Sequence, residues 1–121
     1  MSESHQLGRK GEEHASAYLI NKGYRILFRN WKWGTHEIDI IAENKNFIVF
    51  VEVKTRSENF MEEPAKAVPV AKQKSIIKAA DGYIQRFKID KESRFDIVSI
   101  IKKNEEFEID HIEDAFYPTL R

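Results

Sequence analysis

The sequence has no cysteine among its 121 residues, which excludes a disulfide framework and any thiolate metal site and agrees with a reducing compartment. It has no stretch near the roughly 20 apolar residues that a membrane span needs, and no short apolar run near residue 1 like that of a secretory signal. No membrane association and a cytoplasmic location are therefore the expectations. An excess of charge of one sign is also missing. Twenty Lys and Arg balance 20 Asp and Glu, so the overall basicity usual in nucleic-acid binders is absent. No repeat, low-complexity block or Pro/Gly/Ser-rich linker divides the chain, and its length suits one domain over residues 1–121 around one core.

What is present is a rich core composition. The apolar fraction of 41%, with eight Phe, four Tyr and two Trp, is too high for a disordered segment, and the 33% charged residues supply a solvated surface. The charges are unevenly spread: residues 64–90 hold six Lys or Arg against two Asp, whereas residues 105–114 hold six acids and no Lys or Arg. A local basic face is compatible with this distribution.

Periodicity gives the elements. Leu7, Gly8, Gly11, Ala15, Tyr18 and Leu19 recur at helical spacing, and Gly23 follows where a helix would stop. Tyr24 to Arg29 alternates as a strand, and Asn30 to Thr35 reads as a loop. Glu37–Ala42 and Phe47–Lys54 are β-rich runs separated by a polar turn, the pattern of a hairpin. A loop from Thr55 to about Pro69 precedes a second helix marked by Ile76, Ile77, Ala80, Tyr83, Ile84 and Phe87, which Gly82 weakens. Arg94–Ile101 and Phe107–Ile112 read as closing strands. The order of one helix, three strands, one helix and two strands suits a mixed sheet with helices on its faces.

The hairpin carries the candidate chemistry. Alternation puts Glu37 and Asp39 on one face of their strand, and Glu52 and Lys54 on one face of the next. A turn from Glu43 to Asn46 sets Asp39 diagonal to Glu52, and a slip of one pair sets them face to face. Either register leaves their Cβ atoms roughly 5 to 8 Å apart. Two converging carboxylates repel, so a cation is needed between them. Lys54 supplies one charge, and the remaining oxygen donors suit a hard divalent ion, magnesium or manganese, better than zinc. On the first helix Glu12 shares the stripe of Gly8, Ala15 and Leu19 that should pack on the sheet, while Glu13 points elsewhere.

The segments E-I-D-I-I-A and V-F-V-E-V-K resemble the D…E-x-K signature of the restriction-endonuclease-like, or PD-(D/E)XK, nuclease superfamily. Together with G-R-K-G-E-E-H-A, Gly23-Tyr24, Arg29-Asn30 and Arg94-Phe95-Asp96, they resemble the small bacterial YraN-like family over nearly the whole chain. The resemblance implies an αβββαβ core with a mixed central sheet flanked by helices, and a metal-dependent endonuclease. In it Asp39 and Glu52 would hold magnesium or manganese, Lys54 would serve the attacking water or the phosphate, and Glu12 would be the helix acid seen in Holliday-junction resolvases. The substrate expected is nucleic acid, DNA before RNA, branched or single-stranded, and the resemblance leaves a homodimer open. One departure is Thr35-His36 before Glu37, where that family usually has Gly.

Blander readings stand beside these. The hairpin charges also suit a salt-bridge ladder on a solvated sheet face, and Glu12 also suits an ordinary first-turn helix acid. Lys66, Lys72, Lys74 and Lys78, with Arg56, could line phosphates or coat a solvated face. Trp31 and Trp33 could stack on bases or cap the core. His5, His14, His36 and His111 lack ligand spacing and read as surface residues. The second function class is a non-catalytic nucleic-acid- or protein-binding module that keeps the fold.

Overall fold

The computed structural model describes residues 3–57 and 68–118, with side chains from residue 9 onward. Helix α1 (Glu3–Asn21) precedes β1 (Arg25–Trp33), β2 (His36–Glu43) and β3 (Phe47–Ser57); α2 (Val70–Phe87) then precedes β4 (Glu92–Lys103) and β5 (Glu106–Phe116). The five strands form one sheet in the order β1-β2-β3-β4-β5. Only the β3–β4 pairing is parallel; the others are antiparallel. Such a parallel neighbour needs a crossover, and α2 lies in that connection. Among the described residues no helix is long and apolar enough to cross a membrane.

The sheet is covered on both faces, and the alternation along β3 shows how. Ile48 and Phe50 pack with Ile76, Ala79, Ala80 and Tyr83 of α2, while Val49 and Val51 pack with Ala15 and Leu19 of α1. Each such aliphatic or aromatic side chain contributes about 1.5–3 kcal/mol when fully buried. Gly11 lets α1 approach β3 closely, since a Cβ there would collide with the Thr55 hydroxyl. Gly82, which weakens α2 as a helix former, has a packing reason. A Cβ there would lie 2.5 Å from the Trp33 ring.

One expectation is corrected here, and a choice of register left open is decided. The segment Asn30–Thr35 is not a loop, since β1 runs through Trp33 and only Gly34 and Thr35 form the turn. The signal was masked by Asn30, whose φ of 53 interrupts the strand's alternation. Phe28 and Trp31, three residues apart, therefore both meet the Tyr83 ring. Trp31 is buried in the α2-side core and stacks on Trp33 at 5.8 Å, so its task is packing. In the β2–β3 hairpin Ala42 pairs with Val49 and Ile40 with Val51, which is the slipped register. The Asn44 side chain decides it by accepting the backbone N–H groups of Asn46 and Phe47, and so moves the turn one residue along.

Candidate active site

The candidate site forms where the sheet forks. Pairing between β2 and β3 ends at Ile40 and Val51, whereas β3 continues beside β4 as far as Ser57. Beyond the fork the Val53 N–H has lost its neighbouring strand, and the Asp39 carboxylate takes the bond instead, Oδ2 accepting at 2.9 Å. A buried N–H must find an acceptor, so this bond holds Asp39 toward β3. Extended by one residue, the observed register sets Asp39 opposite Glu52.

Glu52 is 5% exposed, and its Oε2 has no hydrogen-bond partner. The nearest cation is Lys72 from the first turns of α2, with Nζ 3.7 Å from that oxygen. Burial first, then the hydrogen bond and negative charge of Asp39, push the Glu52 carboxyl up to about 9 against the pull of Lys72 and Lys54. Near neutral pH Glu52 thus keeps its proton. Glu12 enters from α1, half-buried, whereas Glu13 is exposed. Its carboxyl is also raised, chiefly by burial, then by Asp39 and Glu37, against the pull of Arg29. Lys54 lies half-buried two residues beyond Glu52.

The two helices cover opposite faces, so Glu12 and Lys72 reach the acid pair from opposite sides of the fork. Faces assigned by strict alternation do not show this. Around the irregular pair Asn30 and Asp39, Ile38 and Ile41 both join the α2-side core, although three residues in a regular strand reverse the facing.

Among the described residues no three His, Cys, Asp or Glu side chains gather closely enough to enclose one ion. The donor set fits an open site: two carboxylates, one of them Glu52 with a buried oxygen lacking a hydrogen-bond partner and a raised carboxyl whose proton a cation can replace. Magnesium suits such a site, since it keeps several waters and takes one or two carboxylates together with substrate oxygens.

The basic residues divide. Lys72 belongs to the fork, and Arg56 lies half-buried on β3, two positions past Lys54. Lys74 and Lys78 are not brought to the carboxylates. They line a cleft of about 500 Å³ with Ile84, Phe95 and Pro118, because residues 74 and 78 lie roughly 200° and 240° around the helix from residue 72. Lys66 falls outside the described residues. His36 bonds Ser75 through Nδ1 at 2.6 Å.

His111 is not a surface residue, with its side chain 3% exposed. Its Nε2 lies 2.7 Å from Asp96 Oδ2 and its Nδ1 3.0 Å from the Tyr18 hydroxyl. Asp96 also accepts from Arg94 Nε, Arg94 Nη2 and the Asp114 backbone N–H. The signal available in the sequence was Arg94 and Asp96 at period-two spacing inside an apolar strand. Asn30 is the other residue missed. Its side-chain amide faces two carboxylates, and with the nitrogen turned inward, the orientation that satisfies both ends of the amide, it would donate to Glu12 Oε1 at 2.9 Å and Glu37 Oε1 at 3.2 Å.

The family described as "Uncharacterised protein family UPF0102" matches residues 11–100, a span that holds Glu12, Asn30, Asp39, Glu52, Lys54 and Lys72. The chain belongs to the UPF0102 family. It is 50% identical over 121 residues to a UPF0102 protein of Parabacteroides distasonis, covering all of both chains. To a UPF0102 protein of Bacteroides thetaiotaomicron it is 48% identical over 120 residues, 99% of each chain. A third UPF0102 protein, from Chlorobium phaeobacteroides, is 45% identical over 122 aligned positions, covering 95% of this chain and 96% of that one. The UPF0102 match ends within β4 and so contains the whole fork but not β5.

Proposed function

We propose that this UPF0102 protein is a metal-dependent nuclease of the restriction-endonuclease-like superfamily, hydrolysing phosphodiester bonds in nucleic acid, with DNA as the expected substrate. The observation that carries the reading is the Asp39–Glu52 pair, two carboxylates in contact at the sheet fork, one of them buried with an oxygen that lacks a hydrogen-bond partner. Burying like charges together is costly without a cation, and a salt-bridge ladder on a solvated face would neither bury Glu52 nor raise its carboxyl.

Asp39 and Glu52 would hold magnesium or manganese. Once bound, such an ion would supply Lewis acidity toward the phosphate and a water acidic enough to attack it. Lys54 contributes positive charge where the phosphoryl oxygens become more negative, and Lys72, freed from Glu52, adds a second cation on the α2 side. Glu12 would hold and orient a water bound to that ion from the α1 side, and so would support the ion as well as the attack. The balanced net charge favours a second reading, a binding module without catalysis.

The deciding experiment incubates the protein with Mg2+ or Mn2+ and a panel of branched, single-stranded and duplex DNA and RNA, beside its Asp39→Asn variant. Metal-dependent cleavage lost in the variant is the expected result. Absence of cleavage across the panel, or an equally active Asp39→Asn protein, overturns the nuclease in favour of the binding module.

A further inference from the structure

Four described residues other than glycine have positive φ: Asn30, Lys88, Asn104 and Asp114. Lys88 caps α2, Asn104 lies in the β4–β5 turn, and Asp114 turns its N–H onto Asp96. Asn30 is different. It stands inside β1, three residues before the strand's end, at φ 53. Its register partner is Asp39, and this is the pair missing between Arg29↔Ile40 and Trp31↔Ile38. Left-handed backbone in a strand is unfavourable for any residue with a Cβ, and glycine would satisfy it at least as well. The side chain must therefore account for asparagine.

That side chain joins two other elements. From the edge strand its amide faces both acids, and turned nitrogen-inward, as the two carboxylates require, it would donate to Glu12 Oε1 of α1 at 2.9 Å and Glu37 Oε1 of β2 at 3.2 Å. Two carboxylates within reach of one group need a donor between them. A lysine would neutralise them and fill the place of a metal ion, and an aspartate would add a third negative charge. The amide NH2 offers two donors and no charge, so the acids are held without being neutralised. The raised Glu12 carboxyl, which feels Asp39 and Glu37 together, reports the same convergence.

We propose that Asn30 is a positioning residue, an uncharged clamp that fixes Glu12 against Glu37 so that Glu12 faces Asp39 across the fork. Its left-handed backbone is the conformation that aims the amide. The consequence for the metal rests on the nuclease reading; the clamp itself is testable without metal.

The test compares Asn30→Gly and Asn30→Ala with the parent. Both remove the donors, but only alanine strains the backbone. Asn30→Gly should melt at or above the parent's temperature and Asn30→Ala below it, whereas both should bind Mn2+ at least about tenfold more weakly in calorimetric titration, the usual effect of losing a group that orients a metal site. In the metal-free parent, the side-chain NH2 resonances of Asn30 should be displaced from exposed-asparagine positions and return there in Glu12→Ala. An Asn30→Gly protein with parental Mn2+ affinity overturns the proposal and leaves Asn30 a backbone role only. NH2 resonances that ignore Glu12→Ala overturn it as well. A parent that binds no Mn2+ overturns the metal-dependent reading instead, and the resonances still decide the clamp.

Discussion

Two buried acids, Asp96 and Glu52, sit on neighbouring central strands and meet opposite fates. Asp96 has 0% exposure, and burial alone would raise its carboxyl; hydrogen bonds from His111, Arg94 and the Asp114 backbone outweigh that and hold it below the ordinary value. Glu52 is nearly as buried, but its neighbour is another acid and its nearest cation is 3.7 Å away, so burial and Asp39 together drive it up to about 9. The first cluster is complete as it stands and ties α1, the α1–β1 connection, β4 and β5 together through Tyr18, Tyr24, Arg94 and His111. The second leaves a buried carboxylate oxygen of Glu52 without a hydrogen-bond partner. Burial of charge does not separate a structural acid from a functional one; the supply of partners does.

The comparison breaks most sharply on activity. Asp39→Asn and Glu52→Gln should each abolish metal-dependent cleavage while leaving the protein folded, read by gel assay and circular dichroism. Asp96→Ala should do the reverse. Removing one partner of a buried ion pair costs about 3–5 kcal/mol, so its urea midpoint should fall steeply. If Asp96→Ala is as stable as the parent, or Glu52→Gln is as destabilised as Asp96→Ala, the distinction between the two acids collapses.

The pH dependence should separate them next. Between about 4.5 and about 9 the folded protein holds a proton at the Glu52 site that the unfolded chain has released. Stability therefore declines as pH rises through that window. Glu52→Gln should flatten this decline and melt above the parent at pH 8, and saturating Mg2+ should flatten it in the parent by displacing the proton. The lowered Asp96 carboxyl works in the other sense. Its contribution is present above the unfolded value of 3.8 and lost as pH falls through the lower folded one. Melting curves from pH 3 to 9 in parent and Glu52→Gln read both; a parent with no decline above pH 5 contradicts the account of Glu52.

Smaller effects sharpen the picture around the fork. Lys54→Ala should lose cleavage yet keep its Mn2+ affinity, because its task lies with the water or the phosphate. Nucleic-acid binding should be weak and fall with added salt as counterions are released, and Lys72→Ala should weaken it more than Lys74→Ala or Lys78→Ala, whose side chains line the other cleft. Smallest of all is Glu13→Gln, expected to be silent in cleavage and stability, since Glu13 is exposed beside the inward Glu12. Equal loss from Glu12→Gln and Glu13→Gln would remove Glu12 from the site.

The sequence by itself determined the order of elements, the hairpin, and the positions of Glu12, Asp39, Glu52 and Lys54, because period, turn residues and side-chain alternation are local rules that a few neighbours satisfy. It also left two registers open, and a single Asn44 side chain chose between them. The tertiary structure alone decided what no local rule contains. It placed α1 and α2 on opposite faces, turned Lys72 toward Glu52 and Lys74 away, and buried His111 between Asp96 and Tyr18. It also bent β1 at Asn30 so that an amide met two carboxylates from other elements. These are contacts between residues far apart in the chain, fixed by which faces pack. Alternation can be read from neighbours, but the place where a strand abandons it is set by what lies across the sheet.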